Sequence, residues 1–149
     1  MRTVVRRGEG ELLTIGRDRT RPVEILIEPV TTGCTAFTMG AQTLPPGGEV
    51  PVHRHPEEEI LFFYSGSGRV TVGDVVHEVG PETAVFIPGD TYHGVQNTGA
   101  GELRVAFTLS PAGYENVFRA LARGGTDHPA APAQAARGRV SKRGPGVRR

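Results

Sequence analysis

Turn-forming residues cut this chain so often that few folds remain open to it. Pro45-Pro46-Gly47-Gly48, Ser65-Gly66-Ser67-Gly68, Gly73-Asp74, Gly80-Pro81, Pro88-Gly89-Asp90 and Thr98-Gly99-Ala100-Gly101 follow one another along the middle of the chain. Glycine relieves the steric bar to positive φ and proline fixes its own φ, so each cluster breaks a regular element. The segments between them are short and alternate apolar with polar residues, the period of a strand. Strands are predicted over 58–64, 69–72, 75–79, 83–87, 93–97 and 103–109, with a hairpin turn at Gly73-Asp74. Upstream, 23–30 (stopping near Pro29) and 36–44 carry the same signal, and 11–16 is a candidate short strand. Such a series predicts an all-β chain, an antiparallel barrel or sandwich.

After Pro111 the period changes. Tyr114, Val117, Phe118 and Leu121 fall at i, i+3, i+4 and i+7, one apolar stripe on a helix that Gly124-Gly125 stops. Such a helix is expected to pack on the barrel exterior or a partner subunit, with cover over the barrel mouth as the alternative. A chain of 149 residues with 37% hydrophobic content buries one core. The expected organisation is an extension over 1–22, a barrel over 23–110, the helix over 111–124 and a tail over 125–149. The tail holds six basic residues and one acid, a net +5 against −4 for the rest. With no periodic apolar face it is expected to be disordered, and a mildly acidic body makes nucleic acid an unexpected partner. The charged start of the chain is unlike a signal peptide, no apolar run is long enough to span a membrane, and Cys34 is the only cysteine. A cytoplasmic protein is expected.

The chemistry concentrates in the stretch 47–66. His53, His55 and Glu59 lie within seven positions of one another, flanked by turn residues. Residues two apart in a strand share a face, so the two imidazoles can reach one point. A turn at Pro56 then allows Glu59 to return on the next strand, with Leu61 and Phe63 on the same interior face. Ile60, Phe62 and Tyr64 face the other side and need cover, which predicts a homodimer. His93, after the Pro88-Gly89 turn, is a fourth candidate ligand. Three imidazoles and a carboxylate suit Fe, Mn, Ni, Cu or Zn without selecting among them, one divalent metal per chain.

These residues resemble the cupin superfamily, specifically a small single-domain cupin. Its first motif is matched by Gly47, His53, His55, Glu59 and Gly66. Its second is matched by Pro88, His93 and Asn97, while Glu82 and Asp90 stand where it has glycines. The motifs and their connection cover 47–97, and a looser likeness extends over 23–123. The resemblance implies a double-stranded β-helix, or jelly-roll, barrel holding the metal through His53, His55, Glu59 and His93. The small cupin lyases of dimethylsulfoniopropionate carry a tyrosine two positions after the metal-binding glutamate, where this chain has Leu61.

Cupins host many chemistries on one fold. A metal-dependent enzyme, dioxygenase-, decarboxylase- or isomerase-like, acting on a small oxygen-rich organic molecule is expected. A non-enzymatic ligand-binding or sensing cupin is the alternative. Glu59 doubles as the candidate catalytic proton acceptor, and Gln42, Phe63 and Arg104 are the candidate substrate-binding residues. Phe37, Met39, Phe63, Phe86, Val95 and Phe107 are expected in the core. His77, His128, Tyr92, Glu57, Glu58 and Cys34 are read as exposed, packing or solvated groups rather than site residues.

Overall fold

Alternation sorts the side chains of this protein into an inside and an outside, and two sheets close over the inside. The computed structural model describes residues 1–16, 18–124 and 139–140. Strands run in the order β1 (Glu11–Ile15), β2 (Arg21–Ile27), β3 (Thr38–Leu44), β4 (Glu49–His53), β5 (Glu58–Ser65) and β6 (Gly68–Val72). They continue with β7 (Val75–Val79), β8 (Thr83–Ile87), β9 (His93–Asn97), β10 (Leu103–Ser110) and β11 (Arg139–Val140). The helices are α1 (Pro29–Thr32) and α2 (Glu115–Gly124). One sheet has the order β1-β2-β3-β10-β5-β8, the other β11-β7-β6-β9-β4. All pairings are antiparallel except β11 with β7. The architecture is a jelly-roll barrel.

The larger sheet turns Val105, Phe107 and Leu109 of β10 inward beside Leu61 and Phe63 of β5, and the smaller contributes Val70 and Val95, all buried. Each such side chain removed from water stabilises the fold by about 1.5–3 kcal/mol. The same alternation sends Ile60, Phe62 and Tyr64 outward, 49%, 42% and 37% exposed. Of the expected core, Phe63, Val95 and Phe107 are buried, Met39 is half-buried, and Phe37 and Phe86 are exposed. Phe86 pairs with Ile60 across β8 and β5 and therefore shares its outward face. The strand β1, within the stretch expected to precede the barrel, pairs with β2 and lengthens the larger sheet. Residues 125–138 and 141–149, with His128, lie outside the described residues.

The helix α2 departs from the packing expected of it. Tyr114 and Phe118 are buried against the barrel interior, with Phe118 stacked 5.1 Å from the Phe107 ring. The helix covers the barrel mouth, and ion pairs hold it there. Arg119 lies 2.6 Å from Glu11 of β1 and 3.0 Å from buried Glu28. At the other end, the buried Glu115 carboxylate accepts hydrogen bonds from the Thr38 hydroxyl and, at 2.8 Å, from the Gly113 N–H.

Asn97, the last residue of the second motif, is a structural tie. Its Nδ2 donates to the carbonyls of Leu44 and Gly101, both at 2.9 Å, and its Oδ1 accepts from the Gly99 N–H at 2.9 Å. The two positions where glycine is replaced keep the glycine conformation, with φ +59° at Glu82 and +57° at Asp90. Left-handed backbone costs an ordinary L-residue about 1–2 kcal/mol, less for Asp. Glycine's greater freedom in the unfolded chain offsets about 0.5–1 kcal/mol of any relief. Glu82→Gly is therefore expected to raise stability by up to about 1 kcal/mol, read as the shift in a urea unfolding midpoint.

Candidate metal centre

The sheets deliver the site from opposite walls. Glu59 comes from β5 of the larger sheet, and His53 and His93 are directly paired residues of β4 and β9 in the smaller. His53 owes its inward direction to an irregularity. Val50 pairs with Val95 and His53 with His93, so β4 uses one more residue than β9 between these pairs. A bulge of this kind re-aims the side chains that follow it. Pro51 sits inside it, on an edge strand where a missing N–H is tolerated. His55 lies beyond the end of β4, in the turn before β5. Turn geometry, rather than alternation from His53, brings it to the site.

Two turns interlock to hold His55 in place. The Asp90 N–H donates to the His55 carbonyl at 2.7 Å. Gly89 packs so closely on this turn that a Cβ there would lie 2.4 Å from the Pro56 carbonyl oxygen. Only glycine allows that approach, which fastens the turn of one motif to the turn of the other.

The four side chains meet in a buried chamber. His53, His55 and His93 each offer a ring nitrogen, all within 4.8 Å of one another. The Glu59 carboxylate is 3.2 Å from His55 Nε2 and 3.0 Å from His93 Nε2. All four residues are at most 9% exposed. Each histidine is fixed from behind by a backbone carbonyl: Nδ1 of His53 to Pro51 at 2.7 Å, of His55 to Glu57 at 3.1 Å, and of His93 to Thr91 at 2.7 Å. A carbonyl only accepts, so Nδ1 carries the proton in all three rings. Nε2 of each ring is thereby left for the centre, where in His55 and His93 it faces the accepting Glu59 carboxylate. Loss of the proton held there would free the Nε2 lone pair with which imidazole ligates a metal.

Electrostatics agrees with a site built for a cation. Burial alone would push the Glu59 carboxyl up, but His55 and His93 beside it outweigh that and hold it at about 2. Burial alone would push the His55 imidazole down, yet the hydrogen bond and charge of Glu59 raise it above its ordinary value. Without a metal, a proton shared between these groups supplies the positive charge that the carboxylate requires.

Around them the chamber is lined by Leu61, Val95, Val105, Phe118, Tyr114 and Gln42 and has a volume of about 20 Å³. That is room for one ion or one water. The buried Gln42 amide nitrogen faces this space with no hydrogen-bond partner among the described residues. A donor set of three imidazoles and a carboxylate around an ion-sized space fits a bound metal ion.

The other sequence-selected residues divide. Gln42 lies in the chamber. Phe63 is fully buried in the core and is absent from the chamber wall. Arg104 is on the outer face, because Val105 and Phe107 take the inward positions. It pairs with Glu102 at 3.0 Å and borders an outer groove with Phe62 and Tyr64. Glu57, read as solvated, is half-buried with its carboxylate 3.4 Å from His55 Nδ1. Glu58 and His77 are exposed, and Cys34 is half-buried. Tyr92 stacks under the Arg54 guanidinium at 5.0 Å. Sequence reasoning missed Tyr114 as a site residue. Its ring is 4.6 Å from His55, and its place at the head of the α2 stripe was the available signal.

Comparison with known proteins bears on the same residues. The family model described as "Cupin domain" matches residues 40–109. Protein SchB of Streptomyces halstedii is 35% identical over 96 residues, 64% of this chain and 70% of that protein. Dimethylsulfoniopropionate lyase DddW of Ruegeria pomeroyi is 35% identical over 81 residues, 54% of this chain and 53% of that protein. The polyketide cyclase RemF of Streptomyces resistomycificus shares the fold, with a TM-score of 0.64 at 23% identity over 74% of this chain and 80% of that one. Among the described residues, no helix is long and apolar enough to cross a membrane.

The pH dependence of the metal-free protein follows from the two shifts. The depressed Glu59 contributes stability that is present above the ordinary carboxyl value of 4.5 and lost as pH falls towards about 2. The raised His55 contributes stability that is present below its ordinary 6.5 and lost as pH climbs through its raised value. Thermal melting of the metal-free protein is expected to be highest between these limits, and Glu59→Gln to flatten both slopes.

Proposed function

The chain belongs to the cupin family, and from that premise we propose that it is a metal-dependent enzyme acting on a small oxygen-rich organic molecule. The observation carrying this is the convergence of three buried imidazoles, ring nitrogens within 4.8 Å of one another and beside the Glu59 carboxylate, each held from behind by a backbone carbonyl. His53, His55, Glu59 and His93 are the proposed ligands of one divalent metal per chain. Bound there, a metal would supply a Lewis acid able to polarise a substrate oxygen.

The remaining steps belong to the chain. The backbone carbonyls hold the three rings in their ligating tautomer. Leu61, Val95, Val105 and Phe118 keep bulk water from the reacting atoms and strengthen every electrostatic contact inside. Gln42 is the proposed orienting group, its amide donating to a substrate oxygen. Glu59 is a weak base while His55 and His93 hold its carboxyl at about 2, so its proposed role is ligation first. Proton acceptance by Glu59 requires it to swing out of their reach.

The likeness to DddW supports an enzyme rather than a passive binder, although Leu61 gives this chain no hydroxyl at the position two after Glu59. Dioxygenase-, decarboxylase- and isomerase-like chemistry all use such a centre. Elemental analysis of untagged protein is expected to give about one metal per chain, and His53→Ala well below that. Equal metal content in parent and variant would sink the proposal. O₂ uptake by iron-loaded protein over a panel of vicinal diols, diketones and hydroxy acids separates oxygenation from metal-assisted rearrangement. Binding without turnover across the panel would favour the ligand-binding alternative.

A homodimer is proposed through the outer face of the larger sheet. The exposure of Leu12, Ile60, Phe62 and Phe86 there supports it. Sedimentation equilibrium is expected to give twice the chain mass, and Phe62→Glu to give a monomer that retains the parent's metal content.

A further inference from the structure

Three carboxylates follow one another into β5, and alternation divides them. Glu59 is buried at the centre, Glu58 is exposed, and Glu57 returns to the side of Glu59, its side chain 19% exposed. His55 therefore lies between two carboxylates: Glu59 is 3.2 Å from its Nε2 and Glu57 is 3.4 Å from its Nδ1. We infer that Glu57 is a positioning residue for the metal centre, its carboxylate set behind His55 to hold that ring and strengthen Nε2 as a donor. This rests on the metal-centre reading proposed above.

The first support is convergence. The Glu57 backbone carbonyl accepts from His55 Nδ1 at 3.1 Å, while the carboxylate of the same residue closes on that nitrogen from 3.4 Å. One residue thus offers a neutral and a charged acceptor to a single N–H. The second is the choice of partner. Among the described residues His55 is the one basic group paired with Glu57, and neighbouring Arg54 lies over the Tyr92 ring at 5.0 Å instead. The third is cost. Glu57 Oε2 is buried and has no formed hydrogen bond among the described residues, so its contact with His55 is one of charge. A buried carboxylate oxygen so placed is unfavourable to folding. The turn does not require it, being fastened by the Asp90 N–H on the His55 carbonyl and by the close approach of Gly89 to Pro56. What the side chain gains in that position is the His55 ring.

An imidazole that shares one lone pair with a cation becomes a stronger N–H donor at its other nitrogen. A carboxylate facing that N–H in turn raises the basicity of the ligating nitrogen. The two effects reinforce each other, so the Glu57 contact is worth more with a metal bound than without one. Only such a difference between bound and free states can favour a ligand. The charge of Glu57 also adds to that of Glu59 around a divalent cation. Glutamine at this position keeps the shape and an acceptor oxygen but loses the charge, so its effect falls on metal affinity rather than on folding.

The test uses the full chain and Zn(II), with affinity measured by competition against a chromophoric chelator in the parent, Glu57→Gln, Glu57→Ala and Glu58→Gln. Loss of the group behind a metal-ligating histidine costs about 10–100-fold in affinity, so both Glu57 variants are expected to bind Zn(II) at least about tenfold more weakly. Glu58→Gln removes an equal charge from the exposed neighbour and should shift affinity by less than about threefold. Parent affinity in Glu57→Gln, or an equal loss in Glu58→Gln, overturns the proposal. If Glu57→Ala does not fold, the near-isosteric Glu57→Gln decides. A second readout is the NMR resonance of the histidine ring nitrogens, which a merely structural role for Glu57 would not move. The His55 Nδ1 resonance should shift in Glu57→Gln, with and without Zn(II), while those of His53 and His93 stay in place. Zn(II) that fails to bind the parent defeats the metal-centre reading and leaves the His55 resonance to judge whether Glu57 holds the ring. Zn(II) binding by the parent with an unmoved His55 resonance in Glu57→Gln overturns the role of Glu57 and leaves the metal-centre reading standing.

Discussion

A carboxylate and three imidazoles buried between two sheets form a costly arrangement, and much of this protein's local structure exists to support it. Charge taken out of water is tolerated only when opposite charge and hydrogen bonds replace the lost hydration. Here the backbone does most of that replacing. Pro51, Glu57 and Thr91 turn carbonyls towards the three rings, and each is placed by an irregular piece of chain: a bulge, a turn and a turn. Regular strands would have spent those carbonyls in the ladder. Local departures from sheet geometry are thus what make a buried polar centre feasible on a β scaffold.

The two motif turns act as a single part. Gly89 against Pro56 and the Asp90 N–H on the His55 carbonyl bind the loop that carries His55 to the loop that precedes His93. Asn97 does the equivalent at the opposite end of β9, joining the turns at 44–48 and 98–101. The strand between them, with His93 at its head, is therefore held at both ends by side-chain and backbone ties that owe nothing to the ladder. Side chains held this way need little reorganisation to meet a common partner.

How much of this was legible in the sequence depends on whether a residue's direction follows from period alone. The strands of the barrel could be read because turn residues bound them, and Glu59, Leu61 and Phe63 fall inward by simple alternation. Arg104 was decidable too, since Leu103, Val105, Phe107 and Leu109 already claim the inner face of β10. Phe37 and Phe86 misled because aromatic character says core while position says outer face. The bulge before His53 and the turn placement of His55 carry no periodic signal, so their convergence was legible only through the motif. Glu82 and Asp90 show the reverse: a left-handed turn persists where the residue type no longer announces it. The placement of α2 over the mouth depends on long-range ion pairs, which no local pattern encodes.

Those ion pairs connect parts of the chain that are far apart in sequence. Arg119, one turn beyond Glu115 in α2, is anchored to Glu11 in the first strand and to Glu28 just after the second. The opening segment of the protein is therefore mechanical support for the cover of the centre, although it contributes no ligand. A fusion, tag or truncation that disturbs β1 would loosen the bracket on which the mouth is hung. The cover over the four buried side chains would then depend on residues of the first strand that touch none of them.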